Sequence, residues 1–260
     1  MSVELRRSLV CPWFLEWGDL EGVFCYCFLA LTWNLICQAN DARHIMFADV
    51  DRTKVDCMDV RFRHMKGNQL GEQSKHPRHI CPNPNDCLLC PVFALTLHLM
   101  RRFNAPPQGV GGRLFCGKTQ CERLSDSLAR RCKEHEPEAS SLGSHVKDTD
   151  ARHSTRKGAA SLVASPPGGP CFAAATCIPA GWSMDEVLNT HLQHLEAGDM
   201  FIGQCLAMLP LTSSNFAVLP LHLLSEAPNE WRAVTRIIWC FPLWLCQVAL
   251  DGCWRCVLLS

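Results

Sequence analysis

From Val23 to Cys37 the chain is apolar except at Thr32 and Asn34. Such a segment is buried either in a bilayer or in a protein core. It falls short of the ~20 apolar residues that a spanning helix requires. A buried helix inside a folded domain is therefore expected, with no membrane partner. A second apolar run, Ile237 to Leu250, is interrupted by Pro242 and Gln247 and ends at Asp251. It fails the same test. With 48% of its 260 residues hydrophobic, the chain can build one large core or two small ones.

The 25 basic residues equal the 25 acidic ones, so a uniformly basic nucleic-acid binder is not indicated, although local basic patches are compatible with this balance. The 18 cysteines do not read as a disulfide framework. The start, Met1 to Arg7, includes Glu4 and no clean apolar core, unlike a secretory signal. An intracellular, reducing setting is expected, with most cysteines acting as small apolar residues.

The first fifteen or so residues show no clear pattern, and Gly18 to Gly22 reads as a turn ahead of the apolar helix. Met58, Val60 and Phe62 alternate with Asp59, Arg61 and Arg63, the period of a half-buried strand. Lys66-Gly67-Asn68-Gln69 follows as a hairpin turn or the strand beyond it. Residues 74 to 87 read as a loop rich in Pro, His and Asn. Pro91 sits in the first turn of a helix that buries Leu95, Leu99 and Phe103. Leu114 to Cys116 reads as a short strand. Leu124, Leu128 and Cys132 share one helix face, and 134 to 150 reads as polar and mobile. A helix is expected from near His153 to Ala164, ended by Pro166-Pro167-Gly168-Gly169-Pro170. Ser183-Met184-Asp185-Glu186 fits a capping box, which places a helix from Met184 to about Leu195.

His153-Ser-Thr-Arg156-Lys-Gly-Ala-Ala, then Ala180-Gly181-Trp182-Ser183-Met184, then Glu196-Ala197-Gly198-Asp199 occur in that order. The series resembles the catalytic domain of the tyrosine recombinases, or phage-type integrases, and within them the Crypton-type recombinases of eukaryotic mobile elements. Upstream, Trp33-Asn34-Leu35-Ile36-Cys37-Gln38 resembles the segment bearing the family's first arginine. Lys66-Gly67-Asn68-Gln69 resembles its β-hairpin lysine segment, and Cys90-Pro91-Val92-Phe93-Ala94-Leu95 the helix after it. Each phrase is loose by itself; their order and spacing are more specific. The resemblance runs from about residue 20 to 220, leaving 1–19 as an N-terminal remnant and 221–260 as an apolar tail. It implies a mostly α fold with a small antiparallel β-sheet (α+β), DNA as partner, self-association on DNA, a nuclear location and no cofactor.

Family members attack a DNA phosphodiester with a tyrosine hydroxyl and form a covalent intermediate. Two arginines hold the non-bridging oxygens, because a guanidinium fork matches phosphate. A lysine and histidines, or a tryptophan, assist proton transfer and positioning. The resemblance implies that Arg156 is the second arginine, His153 the box histidine, Trp182 the histidine-or-tryptophan position and Lys66 the lysine. Phosphate contact would fall to Arg156, His153 and Lys66. Two positions depart from the pattern. Gln38 stands where the first arginine belongs and His191 where the tyrosine belongs. Arg43 is five residues from Gln38 and on a helix would face elsewhere. Tyr26 is the single tyrosine and lies in the apolar helix, where core packing is its expected role. Strand cleavage and rejoining, the ancestral reaction, is thus expected to be impaired. A degenerate or purely DNA- or protein-binding domain is the alternative.

A structural zinc module is a rival reading. His76, His79, Cys81, Cys87 and Cys90 are clustered, and Cys87-x-x-Cys90 has metal-ligand spacing. No second Cys-x-x-Cys stands at finger spacing, however, and Cys90-Pro91 is explained by the helix start. A serine hydrolase is not indicated, since Gly-x-Ser-x-Gly does not occur.

Overall fold

The apolar run becomes helix α3, Leu20–Asn34, and every residue from Gly22 to Asn34 is buried. A helix that is apolar on all sides needs neighbours on all sides, and the rest of the chain supplies them. The computed structural model describes residues 1–16, 20–51, 57–63, 77–83, 85–103, 112–117, 119–141, 151–164 and 196–209. Around α3 pack α2 (Cys11–Glu16), α4 (Ala39–Ala42), α5 (Pro91–Phe103), α6 (Gln120–Glu134), α8 (Ala151–Ala164) and α9 (Glu196–Leu206). The polar groups inside α3 turn back on its own backbone. Thr32 Oγ1 donates to the Phe28 carbonyl at 2.9 Å and Asn34 Nδ2 to the Ala30 carbonyl at 2.8 Å. The helix therefore starts earlier than the expected turn at Gly18 to Gly22: Leu20, Glu21 and Gly22 are already helical, while Gly18 and Asp19 lie outside the described residues.

The amino-terminal segment is helical, contrary to its lack of pattern. α1 (Val3–Leu5) runs through a π-turn, Arg6–Val10, into α2. The Cys11 N–H reaches back to the Arg6 carbonyl. A π-turn inserts one residue and rotates the buried face, so Leu5, Val10, Cys11 and Phe14, all buried, do not keep a 3.6 spacing. Arg6 is wholly buried. Its guanidinium stands 5.1 Å from the Trp33 ring, and Nη2 donates to the Leu89 carbonyl at 3.3 Å.

Later helices follow the sequence closely. Pro91 is the first residue of α5, where its missing N–H costs nothing, and Leu95 is buried. Leu124, Leu128 and Cys132 form the buried side of α6. Arg123 of α6 forks onto the Glu21 carboxylate of α3 and lies over the Phe24 ring at 4.0 Å. The polar stretch after residue 134 is not uniformly irregular: Glu136–Ser141 form α7, pinned by buried Ala139. Residues 142–150 lie outside the described set.

The sheet has three antiparallel strands in the order β1 (Val50–Asp51), β2 (Met58–Val60), β3 (Arg78–Ile80). Met58 pairs with Ile80, Asp59 with His79 and Val60 with Arg78. Two expectations are corrected here. β2 is buried on both faces, Asp59 included, because α9 packs on the sheet. β3 lies inside the segment read as loop; three residues with one aliphatic give no alternation to read. A third correction concerns Leu114 to Cys116, which form no strand. Arg113 bridges to Met46, the Leu114 N–H donates to the Ile45 carbonyl at 2.8 Å, and Phe115 packs edge-on against Phe28 at 4.8 Å. The segment crosses the aromatic side of α3 instead of extending the sheet.

The described chain is thus mostly helical with a small antiparallel sheet. Among the described residues, no helix is long and apolar enough to cross a membrane. The described cysteines are thiols and, except for Cys87 and Cys116, buried. Burial pushes the Cys11 thiol up to about 11 and the Cys25 thiol up to about 12, from an ordinary 9.0. An unfolded thiol ionises near 9.0 while the buried one keeps its proton. Above that pH the folded state binds more protons, so stability falls as pH rises. The slope is about 1.4 kcal/mol per pH unit for each thiol, continuing to about 11 for Cys11 and about 12 for Cys25. Urea midpoints are expected to hold steady from about pH 8 to about pH 9 and to fall steeply by about pH 10.5. A flat profile across that range would contradict the burial of these thiols.

Candidate functional site

The turn between α3 and α4 positions Gln38. Helix α3 ends with the Cys37 N–H donating to the Thr32 carbonyl at 3.3 Å, the long closing bond of a Schellman end. Ile36 takes the left-handed position at φ 48, where glycine is usual. Its side chain is buried with Trp33, Ala159, Val163 and Ile202, and that packing holds the strained backbone. Gln38 then caps α4. Its carbonyl accepts the Asp41 and Ala42 N–H groups at 2.9 and 3.1 Å, and its own N–H donates to Asp41 Oδ2 at 3.3 Å. The Gln38 residue is half-buried. Arg43 closes the same short helix, its N–H donating to the Ala39 carbonyl.

Helix α8 brings the second group. Thr155, Ala159 and Val163, at four-residue spacing, are its buried side. They seat α8 against α3 and α9. Arg156 is half-buried beside that seam. Its charge acts on the Cys37 thiol, as does the opposing charge of Asp41. Burial dominates there and pushes Cys37 well up. Helix α8 packs on α3, whose end leads into the Cys37–Gln38 turn. His153 lies in α8, one turn ahead of Arg156. Lys66, Trp182 and His191 lie outside the described residues, as does the helix expected from Met184 to Leu195.

Gly158 sets how closely α8 approaches. A methyl placed there would lie 2.0 Å from the Met1 carbonyl oxygen and 2.9 Å from Cζ3 of Trp33. Glycine to alanine within a helix ordinarily gains up to about 1 kcal/mol. Here the clash with backbone and indole outweighs it, as overpacking costs about 1–3 kcal/mol. Gly158→Ala is expected to lower the urea midpoint, a net loss of about 1–2 kcal/mol; a rise in midpoint would show that α8 does not lie this close.

Tyr26 is fully buried, and its hydroxyl donates to the Cys87 carbonyl at 2.8 Å and the Leu88 carbonyl at 3.2 Å. Desolvation pushes its phenol well above 10.0. It is a core residue, as expected, and no nucleophile.

The cysteine–histidine reading takes a different form in space. His76 lies outside the described residues. Cys90 Sγ accepts N–H groups from Asn83 and Phe93 at 3.3 and 3.4 Å. The cluster with metal-ligand geometry among the described residues is instead Cys57, Asp59 and His79, all buried. Asp199 of α9 joins it: its Oδ2 accepts the His79 N–H at 2.8 Å and contacts His79 Nδ1 at 2.5 Å. Of these residues the sequence singled out His79 as a ligand candidate. The alternation Cys57-x-Asp59 was the available signal, since it sets both on one strand face.

Scans of the chain against protein-family models, curated proteins and solved structures find no match.

Proposed function

We propose that this chain is a DNA-binding domain of tyrosine-recombinase type, of mobile-element origin and acting in the nucleus, which holds DNA phosphates through Arg156 but carries out strand exchange poorly. The observation that supports this reading is the packing of α8, which carries His153 and Arg156, against α3, which leads into the Cys37–Gln38 turn. A recombinase site needs its two arginine positions to converge on one phosphate, and the packing of α8 on α3 brings these two segments together. The mostly helical fold with a small antiparallel sheet is compatible with that family.

Binding without chemistry is favoured over catalysis by Tyr26. It is the chain's single tyrosine, and its hydroxyl is committed to backbone carbonyls in the core. His191 offers an imidazole in place of a phenol, and Gln38 offers hydrogen bonds in place of a charge. Loss of a transition-state donor costs about 2.7–4 kcal/mol, a hundred-fold or more in rate.

Fluorescence anisotropy with duplex DNA across a salt series tests the binding half. The unaltered chain is expected to bind with a negative salt slope. Arg156→Ala is expected to weaken binding about tenfold and reduce the slope by about 1. Equal affinity and slope in a folded Arg156→Ala chain would remove Arg156 from the interface. A chain with no salt-dependent affinity at all would favour a protein-binding or degenerate domain.

A further inference from the structure

We propose that Cys57, Asp59 and His79 form a structural zinc(II) site that ties the β2–β3 pair to α9. This inference stands apart from DNA binding and from the Cys87-x-x-Cys90 spacing. Asp59 and His79 are direct partners across the two strands, so their side chains leave the same face. Cys57 is two residues before Asp59 and shares that face. A thiol, a carboxylate oxygen and a ring nitrogen consequently lie within 4.8 Å of one another. His79 Nε2 is 3.5 Å from Asp59 Oδ1, and Cys57 Sγ is 4.0 Å from the same oxygen. Tetrahedral zinc, with bonds of about 2.0–2.3 Å, spaces such ligands about 3.4–3.6 Å apart. Closing the widest of these separations, at most 4.8 Å, to that spacing takes a shift of about 1 Å.

The histidine is already oriented for this role. Asp199 Oδ2, an acceptor, contacts Nδ1 at 2.5 Å; with zinc bound, Nδ1 would carry the ring proton and Nε2, 3.5 Å from Asp59 Oδ1, would be the ligand atom. A carboxylate behind a ligating histidine fixes its tautomer and raises its basicity. Charge balances as well. Zinc with the Asp59 carboxylate, a Cys57 thiolate and neutral His79 is neutral; binding releases the thiol proton to solvent. The mixed sulfur, nitrogen and oxygen set suits zinc above magnesium or calcium.

Burial makes the site structural. Cys57, Asp59 and His79 are each under 5% exposed, so no substrate reaches them. Continuing the strand register by one step sets Cys81 opposite Cys57, and both pack with Ala207 and Leu209. Cys81 is the residue placed to close the fourth position by turning its thiol from the Met200 carbonyl, 3.9 Å away. Gly203 lets α9 lie over these ligands, since a methyl there would come within 2.8 Å of the His79 carbonyl and 3.2 Å of Cys81 Sγ.

The full chain, purified with zinc sulfate and dialysed, is expected to hold about one zinc per molecule by mass spectrometry of the metal. Cys57→Ser and the isosteric Asp59→Asn should each lower the content at least about fivefold, as loss of a ligand does. Cys87→Ser should retain it. With cobalt(II) in place of zinc, the near-ultraviolet thiolate band should appear in the unaltered chain and weaken in Cys57→Ser. Less than about a tenth of a zinc per folded chain, or unchanged content in both ligand variants, would overturn the proposal. Loss in Cys87→Ser with retention in Cys57→Ser would move the metal to the other cluster and overturn it equally.

Discussion

On the proposed recombinase reading, Gln38→Arg combined with His191→Tyr is expected to give a covalent protein–DNA adduct on a nicked suicide substrate, where the unaltered chain gives little or none. The reaction requires a phenol at the site, and the buried, doubly engaged Tyr26 hydroxyl does not reach DNA. Tyrosine at 191 would restore the nucleophile. Arginine at 38 would add the guanidinium that the family carries at that position. Position 38 can take that charge because Gln38 is half-exposed and helps cap α4 through its backbone. The nearby Asp41 carboxylate offsets the like charge of Arg156 until phosphate arrives. The two substitutions should not act additively, since groups that work as one unit fail together. His191→Tyr alone should give adduct at a rate at least about a hundred-fold lower, following the cost of a missing transition-state donor. Gln38→Arg alone should give none. Denaturing gels read the adduct directly, and adding Arg156→Ala should abolish it. A folded double variant that binds DNA but forms no adduct would show that positions 38 and 191 are not the ones that matter.

Several elements were legible because one local signal sufficed. The apolar run had to become the central helix, since apolarity on every side leaves no face for water. Pro91 marked the first residue of α5, and the Leu124, Leu128 and Cys132 spacing marked the buried face of α6. The amino-terminal helix was hidden because the π-turn at Arg6–Val10 breaks the period. β3 was hidden because Arg78–Ile80 is too short to alternate. Both clusters of chemical interest depend on packing between distant segments. Helix α8, which carries Arg156, lies against α3 because Gly158 admits it close to Trp33. No residue pattern fixes that approach. Asp199 meets His79 from 120 positions away, and nothing local to either residue announces the other.

Asp199→Ala is expected to be among the most destabilising single changes in the chain. Asp199 is buried, and one of its oxygens accepts both the backbone N–H and Nδ1 of His79. Alanine leaves two buried donors unsatisfied, and Arg78 loses the carboxylate that supports its charge. An unsatisfied buried donor costs about 1–3 kcal/mol, and two put the loss at about 3–5 kcal/mol, against a total stability of about 5–15 kcal/mol. At about 2–4 °C per kcal/mol, the melting temperature should fall by about 6–20 °C. Asp199→Asn keeps an acceptor oxygen of the same reach and removes only the charge. Its loss should be smaller, about 1–2 kcal/mol, the difference between charged and neutral hydrogen bonds. Helix α9 keeps its second attachment, since Ile202, Cys205 and Leu206 pack with Trp33, Ile36, Ala159 and Val163. Hydrogen exchange should therefore rise first at the His79 amide and in the first turn of α9, before the second half of that helix opens. Equal stability of the alanine variant and the unaltered chain would mean that the Asp199–His79 contact does not hold the sheet to α9.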